Sequence, residues 1–299
     1  MNLNDIKYNF IEWVKLNIAF FNRVQKNYHF QKKKNITFNN NFLDDLSKNY
    51  SPIFILSTGR CGTEYISKIL ALSEQVDVYH SPHPELIIAS KFAYENIDTK
   101  HDIIKSIVES ARIELIMESY SRNRFFIETN NKITFFAYAL ADIFPNSKFI
   151  HLVRHPGSFV RSGIRRNWYK NSDKQDLGRI IPHDEKIDFN RFNDIQKISW
   201  LWEETNLFIE NFKTKIDDDN RVLTIRAEDL FGNRTTINSI YDFIGCEYPK
   251  NKKIDPVLNK KINVQKNEDF PKYSDWSKND KEFLINICSS AEKYDYRLL

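Results

Sequence analysis

Two short apolar runs each end in a glycine-bearing turn that opens a helix, and that repeated pattern limits the chain to few folds. Residues 53–56 run into Ser57-Thr58-Gly59-Arg60-Cys61-Gly62-Thr63, and residues 148–153 run into Arg154-His155-Pro156-Gly157-Ser158. Continuous apolar runs of this length are the mark of parallel strands buried on both faces. Residues 76–79, 124–128 and 222–225 read as further strands. Helical spacing covers residues 63–72, 85–96, 101–121, 133–143, 157–167, 200–212, 236–244 and 278–293. Strands alternating with helices predict an α/β fold: a central, mostly parallel sheet with helices on both faces. Ligands of such sheets bind beyond the carboxyl ends of the strands, where both glycine turns fall.

Composition sharpens this. The chain has 7 glycines in 299 residues, where average usage predicts about 21. Glycine should therefore stand where only glycine works. Four of the seven, Gly59, Gly62, Gly157 and Gly163, lie in the two turn segments. A net charge of +4 is too mild to argue nucleic-acid binding and suits a protein that handles small anions. Three widely spaced cysteines exclude a disulfide framework and a CxxC metal site. With no membrane-length apolar run and a polar start, the expected compartment is the cytoplasm. Residues 1–30 follow amphipathic helical spacing and lead into a Lys- and Asn-rich stretch. The expected division is a helical extension, 1–48, and one α/β domain, 49–299. The N-terminal helix is the candidate surface for homo-oligomer formation.

The first turn has the parts of an anion site. Gly59 and Gly62 let the backbone turn and approach a phosphate, and the helix N-terminus presents amide groups. Arg60 adds a fork of donors, and Thr63 can cap the helix and donate a hydroxyl. It is not a Walker A loop, because no Lys precedes Thr63, so ATP or GTP chemistry is disfavoured. Cys61 beside Arg60 at a helix start could have a lowered pKa, but no His partner accompanies it, and a catalytic thiol is disfavoured. In the second turn, Arg154 ends a strand, Pro156 suits a first helical turn, and Ser162 lies two helical turns on. Arg154 can hold a phosphate to which Ser162 donates, with Arg161, Arg165 and Arg166 adding charge.

Together the two segments resemble the nucleotide site of sulfotransferases that use 3′-phosphoadenosine 5′-phosphosulfate (PAPS). The first resembles that family's 5′-phosphosulfate loop and the second its 3′-phosphate motif. The block Thr224-Ile225-Arg226-Ala227-Glu228-Asp229-Leu230 and the tail through Trp276 to Tyr296 are also similar. The resemblance implies a P-loop-NTPase-like sulfotransferase fold and sulfonate transfer from PAPS to a hydroxyl of a sugar or other small acceptor, leaving 3′-phosphoadenosine 5′-phosphate (PAP). It implies that Thr58, Gly59, Arg60, Cys61, Gly62, Thr63 and Glu64 form the 5′ site, that Arg154 and Ser162 hold the 3′-phosphate, and that no metal takes part. Lys260, Lys261 and Lys266 fall where a basic loop of the family closes over the nucleotide.

Transfer to an alcohol needs a group to take its proton. His80 and His83, in Tyr79-His80-Ser81-Pro82-His83, follow a strand at the same sheet edge, with Glu85 as fallback. Ser81 stands where polysaccharide-type members carry an acid. Glu128 ends another strand and is a candidate to orient substrate or act as base. Arg60 would neutralise charge in the transfer. Trp168 and Tyr169 need no role beyond packing. Two other readings stay open: a sulfotransferase-like anion-binding protein without activity, and a P-loop-like ATP-dependent kinase.

Overall fold

The computed structural model describes residues 42–171, 174–184, 186–216, 220–258 and 270–298. Its strands β1 (Ile53–Ser57), β2 (Val76–Tyr79), β3 (Phe125–Glu128), β4 (Lys148–Val153) and β5 (Val222–Arg226) form one sheet. Every pairing is parallel, and the order is β2-β3-β1-β4-β5. All five residues of β1 are buried, which is why its run lacks a polar alternate. Alternation sorts the two faces. Ile53 and Ile55 join Ile66, Ile69, Ile150, Ile237 and Ile240 on one side. Phe54 packs on Phe126 and Phe149 on the other, at 5.9 Å each, and Phe149 on Phe212 at 4.7 Å.

The helices include α1 (Phe42–Asn49), α2 (Thr63–Leu70), α3 (Ile87–Glu95) and α4 (His101–Ser121). After them come α5 (Ala137–Ile143), α6 (Pro156–Ile164), α7 (Asp194–Ile216), α8 (Ala227–Leu230), α9 (Arg234–Ile244), α10 (Asn251–Leu258) and α11 (Lys278–Ile287). From β1 the chain first builds one side of the sheet, β2 and β3, and then crosses to the other, β4 and β5. That reversal makes the carboxyl end of β1 the topological switch point, where open sheets leave a crevice for ligands.

Two elements depart from the sequence reading. The helix read over 133–143 begins as a 3₁₀ turn, Asn131–Phe136, because the Asn130 side chain accepts from the Lys132 amide and tightens the start. The last helix, read over 278–293, stops at Ile287. Beyond it, the buried Glu203 carboxylate on α7 accepts from the Ser290 amide at 3.1 Å and the Ser289 hydroxyl at 2.9 Å. A tertiary acceptor has replaced the helical one. The amphipathic segment over 1–30, its linker, and Lys260, Lys261 and Lys266 lie outside the described residues. Among the described residues no helix is long and apolar enough to cross a membrane.

Candidate active site

The turn after β1 is held from both sides. The Ser57 amide donates to Thr134 Oγ1 at 3.0 Å, and the Thr134 hydroxyl donates back to the Ser57 carbonyl at 3.1 Å. Ser57 Oγ then accepts from the Gly59 amide at 3.1 Å. Gly59, Arg60 and Gly62 have φ of 83°, 58° and 94°. Left-handed residues at the mouth of a helix are the backbone form of anion-binding concavities. At Gly62 a side chain is excluded twice, by φ and by Phe231, whose Cζ lies 3.2 Å from where a Cβ would sit. Gly62 is itself the N-cap of α2, without a side-chain cap, which corrects the expectation that Thr63 caps the helix. Thr63 is the first helical residue instead. Glu64 pairs with Lys68 at 2.7 Å along the helix.

The two turns meet although far apart in sequence. β1 and β4 pair through Ser57 and Leu152, so their ends lie side by side. Arg154 Nη1 donates to the Arg60 carbonyl at 2.8 Å, and Arg60 Nε to Ser162 Oγ at 3.3 Å. The Arg154 carbonyl is fixed in turn by Trp202 Nε1 at 2.8 Å. Burial, followed by the nearby charges of Arg166 and Arg154, pushes the Arg60 guanidinium down to about 10. It stays charged at neutral pH. Like charges gathered this closely favour a bound anion. Arg161 is used differently: its Nε donates to the carbonyls of Phe270 and Pro271, at 2.9 and 3.1 Å, and so anchors the tail. His155 caps α6 by accepting from the Gly157 amide at 3.1 Å. Tyr296 ties the chain end to the same corner, donating to Glu228 at 2.6 Å.

Cys61 does not have the lowered pKa that its place beside Arg60 could give it. It is fully buried, and burial pushes the thiol up to about 11 against the pull of Arg154 and Arg60. Its Sγ donates to the Gly59 carbonyl at 3.1 Å and lies 3.2 Å from Thr58 Oγ1. Thr58 and Cys61 therefore brace the turn from inside.

The candidate bases fall into two groups. His80 follows β2, is exposed, and holds Thr129 Oγ1 through Nδ1 at 2.8 Å. Desolvation by its neighbours holds its pKa below the ordinary imidazole value. His83 is exposed and lies close enough to Glu85 to lower that carboxyl, whose main depressant is a 2.8 Å bond from Lys174. Glu128 differs: it is 0% exposed and gripped by Arg112 Nε at 2.6 Å and Nη2 at 3.0 Å. Burial pushes its carboxyl up and Arg112 opposes the shift. Arg112 Nη1 also donates to the Pro84 carbonyl at 3.0 Å. The pair thus fastens the histidine loop to β3.

Sequence reading missed Arg112, Thr134, Trp202 and Phe231. Arg112 had a signal, since it falls in helical register with the buried Ile104, Val108 and Ile116. A charge at a core position implies a buried partner. Phe231, 50% exposed beside Gly62 and 4.9 Å from the Tyr65 ring, had none.

Residues 52–250, which hold both turns and all five strands, match the sulfotransferase family. The chain belongs to that family. Similar solved structures include the sulfotransferase domain of the curacin biosynthetic pathway, 19% identical, with TM-score 0.48 over 70% of this chain and 78% of that one. Others are the sulfotransferase domain of the Synechococcus PCC 7002 olefin synthase (15%, TM-score 0.48, 84% and 98%) and a sulfotransferase from Alicyclobacillus acidocaldarius (11%, TM-score 0.49, 80% and 92%). No curated protein matches the chain. Among its described residues this sulfotransferase-family chain has no group of three or more His, Cys, Asp or Glu placed to hold a metal.

Proposed function

We propose that this sulfotransferase-family protein takes its sulfonate from PAPS and passes it to a hydroxyl of a small molecule or glycan. The observation that carries the reading is the meeting of Arg60, Arg154 and Ser162 at the switch point, with Arg166 close enough to act on Arg60. The amides of residues 59–63 and the Thr63 hydroxyl would take the 5′-phosphosulfate. Arg154 and Ser162 would take the 3′-phosphate, with Arg60 between the two. The exposed Phe231 ring offers a face on which a purine stacks.

In the transfer the acceptor oxygen forms a bond to sulfur while the bond from sulfur to the 5′-phosphate oxygen breaks. The electron pair of that bond stays on PAP, where the guanidinium groups neutralise it. The acceptor's proton goes to His80 or His83. With Nδ1 of His80 held by Thr129, Nε2 is the nitrogen left to receive it. The lowered pKa of His80 keeps the ring neutral, the form a base needs. Three free cysteines suit the cytoplasm.

Calorimetric titration with PAP, and with ATP plus magnesium in parallel, tests this on the wild type and on Arg154→Ala. Charge-assisted hydrogen bonds contribute about 1.5–3 kcal/mol. Arg154→Ala should therefore weaken PAP by roughly 10- to 150-fold. Tight ATP binding with no PAP binding would overturn the donor assignment.

A further inference from the structure

The backbone around Arg154 is held by three side chains from distant parts of the chain. β4 ends at Val153, so the ladder that fixes the strand stops one residue short of Arg154. Pro156, two residues on, has no amide hydrogen to give. Side chains take the place of the ladder. The Val153 carbonyl accepts from the Tyr296 hydroxyl at 3.2 Å, and the Arg154 carbonyl from Trp202 Nε1 at 2.8 Å. The His155 amide donates to Glu228 Oε1 at 3.1 Å.

Two of the three are joined to each other. Tyr296 shares its one proton between the Val153 carbonyl and Glu228 Oε2, with the shorter bond, 2.6 Å, to the carboxylate. Burial, and then the Glu228 charge, push the Tyr296 phenol up, so the hydroxyl keeps that proton and donates. Tyr296 is itself fixed: it is 4% exposed, and Arg226 lies 5.1 Å over its ring. Two residues on, the Leu298 carbonyl accepts from the Tyr273 hydroxyl at 2.7 Å. The Tyr273 ring lies 2.5 Å from where a Cβ on Gly157 would sit. The tail is thus pinned to the start of α6, the helix that carries Ser162.

Arg154 spends one nitrogen within the protein, Nη1 on the Arg60 carbonyl at 2.8 Å. Its other donors have no partner among the described residues and point to an anion as theirs. Fixing a side chain only on binding costs affinity, so a phosphate-binding arginine works best when its backbone is set in advance. Glu228 opposes an anion by charge, as any carboxylate near a phosphate does. What it adds at this corner is geometry.

We infer that Tyr296 and Glu228 are positioning residues for the 3′-phosphate, holding the backbone of Arg154 so that its guanidinium is set before the nucleotide arrives. This rests on the reading of Arg154 as the 3′-phosphate ligand. It makes the tail of the chain part of donor specificity, the preference for a nucleotide that carries a 3′-phosphate over one that does not.

The test compares PAP with adenosine 5′-phosphate, which lacks only the 3′-phosphate, by calorimetry on the full chain. The wild type should bind PAP more tightly, and Arg154→Ala should remove most of that preference. Tyr296→Phe keeps the ring and loses the hydroxyl. It should lower the preference roughly two- to tenfold, as the loss of one hydrogen bond does, with affinity for adenosine 5′-phosphate unchanged. Glu228→Ala should lower the preference as well. In the Arg154→Ala background, Tyr296→Phe should have no further effect on the preference, because both changes act on one group. Binding of adenosine 5′-phosphate also reports that each variant has folded. The inference is overturned if both variants keep the wild-type preference, or if they weaken the two nucleotides equally, as a general loss of structure would. A wild type that binds the two nucleotides equally is a different result: it overturns the 3′-phosphate assignment of Arg154, and the inference with it.

Discussion

Replacing Arg112 by Met removes the charged partner of a buried carboxylate. Glu128 is 0% exposed and Arg112 1%, and two charge-assisted bonds at 2.6 and 3.0 Å join them. Removing one member of a buried pair costs about 3–5 kcal/mol, because the remaining charge must stay unpaired or take up a proton. Whole-domain stabilities are of the order of 5–15 kcal/mol. Arg112→Met should therefore lower unfolding free energy by about 3–5 kcal/mol in urea titration. Glu128→Gln exchanges the charge for an amide that can still accept from Arg112, but it strands the guanidinium and should destabilise as well. The double variant Arg112→Met/Glu128→Leu should recover much of the loss, since an apolar pair of similar volume replaces the ionic one. Arg112 also holds the Pro84 carbonyl. Either single change should loosen the segment that carries His80 and His83, and turnover should fall with stability. The reasoning fails if Glu128→Gln abolishes turnover while unfolding free energy and PAP affinity stay at wild-type values. Glu128 would then be the base.

Three further outcomes follow from the site and its surroundings. If His80 is the base, kcat/KM should rise with pH through a pKa below the ordinary imidazole value and then level off, because only the neutral ring accepts a proton; a profile that His80→Ala leaves unchanged in shape transfers the role to His83. His151 is fully buried, bonded through Nε2 to Asn206 Oδ1 at 2.9 Å, and pushed down to about 4 by burial. Between pH 6.5 and 4 the unfolded chain takes up a proton there that the folded chain refuses. Stability should fall as pH falls across that window, by about 3 kcal/mol, and His151→Gln should remove that part of the slope in urea titrations. Cys61, Cys246 and Cys288 are all buried with thiols pushed up, the first two to about 11. An aromatic disulfide reagent at pH 8 should label none of them until the chain unfolds, and rapid labelling of Cys61 in the native protein would contradict its packing against Thr58.

Strand positions were legible because a parallel sheet covered on both faces needs apolar runs, and the runs at 53–56 and 148–153 end where β1 and β4 end to within a residue. The glycines of the first turn were legible for a related reason: a chain this poor in glycine keeps Gly59 and Gly62 where φ is positive. Cys61 misled, since proximity to Arg60 and a helix start says nothing about burial, and burial dominates its pKa. The pairing of Glu128 was not legible either, because its partner Arg112 lies on another element.

The sequence by itself determined the local parts of this protein: which runs become strands, where the backbone must turn left-handed, and which side chains can meet an anion. These depend on spacing and residue type within a few positions. Only the tertiary structure decided which of those parts act together. Parallel strand order brings Arg60 to Ser162 across 102 positions and Arg112 to Pro84 across 28. Contacts of that range depend on the order in which strands join the sheet, and no local pattern encodes that order.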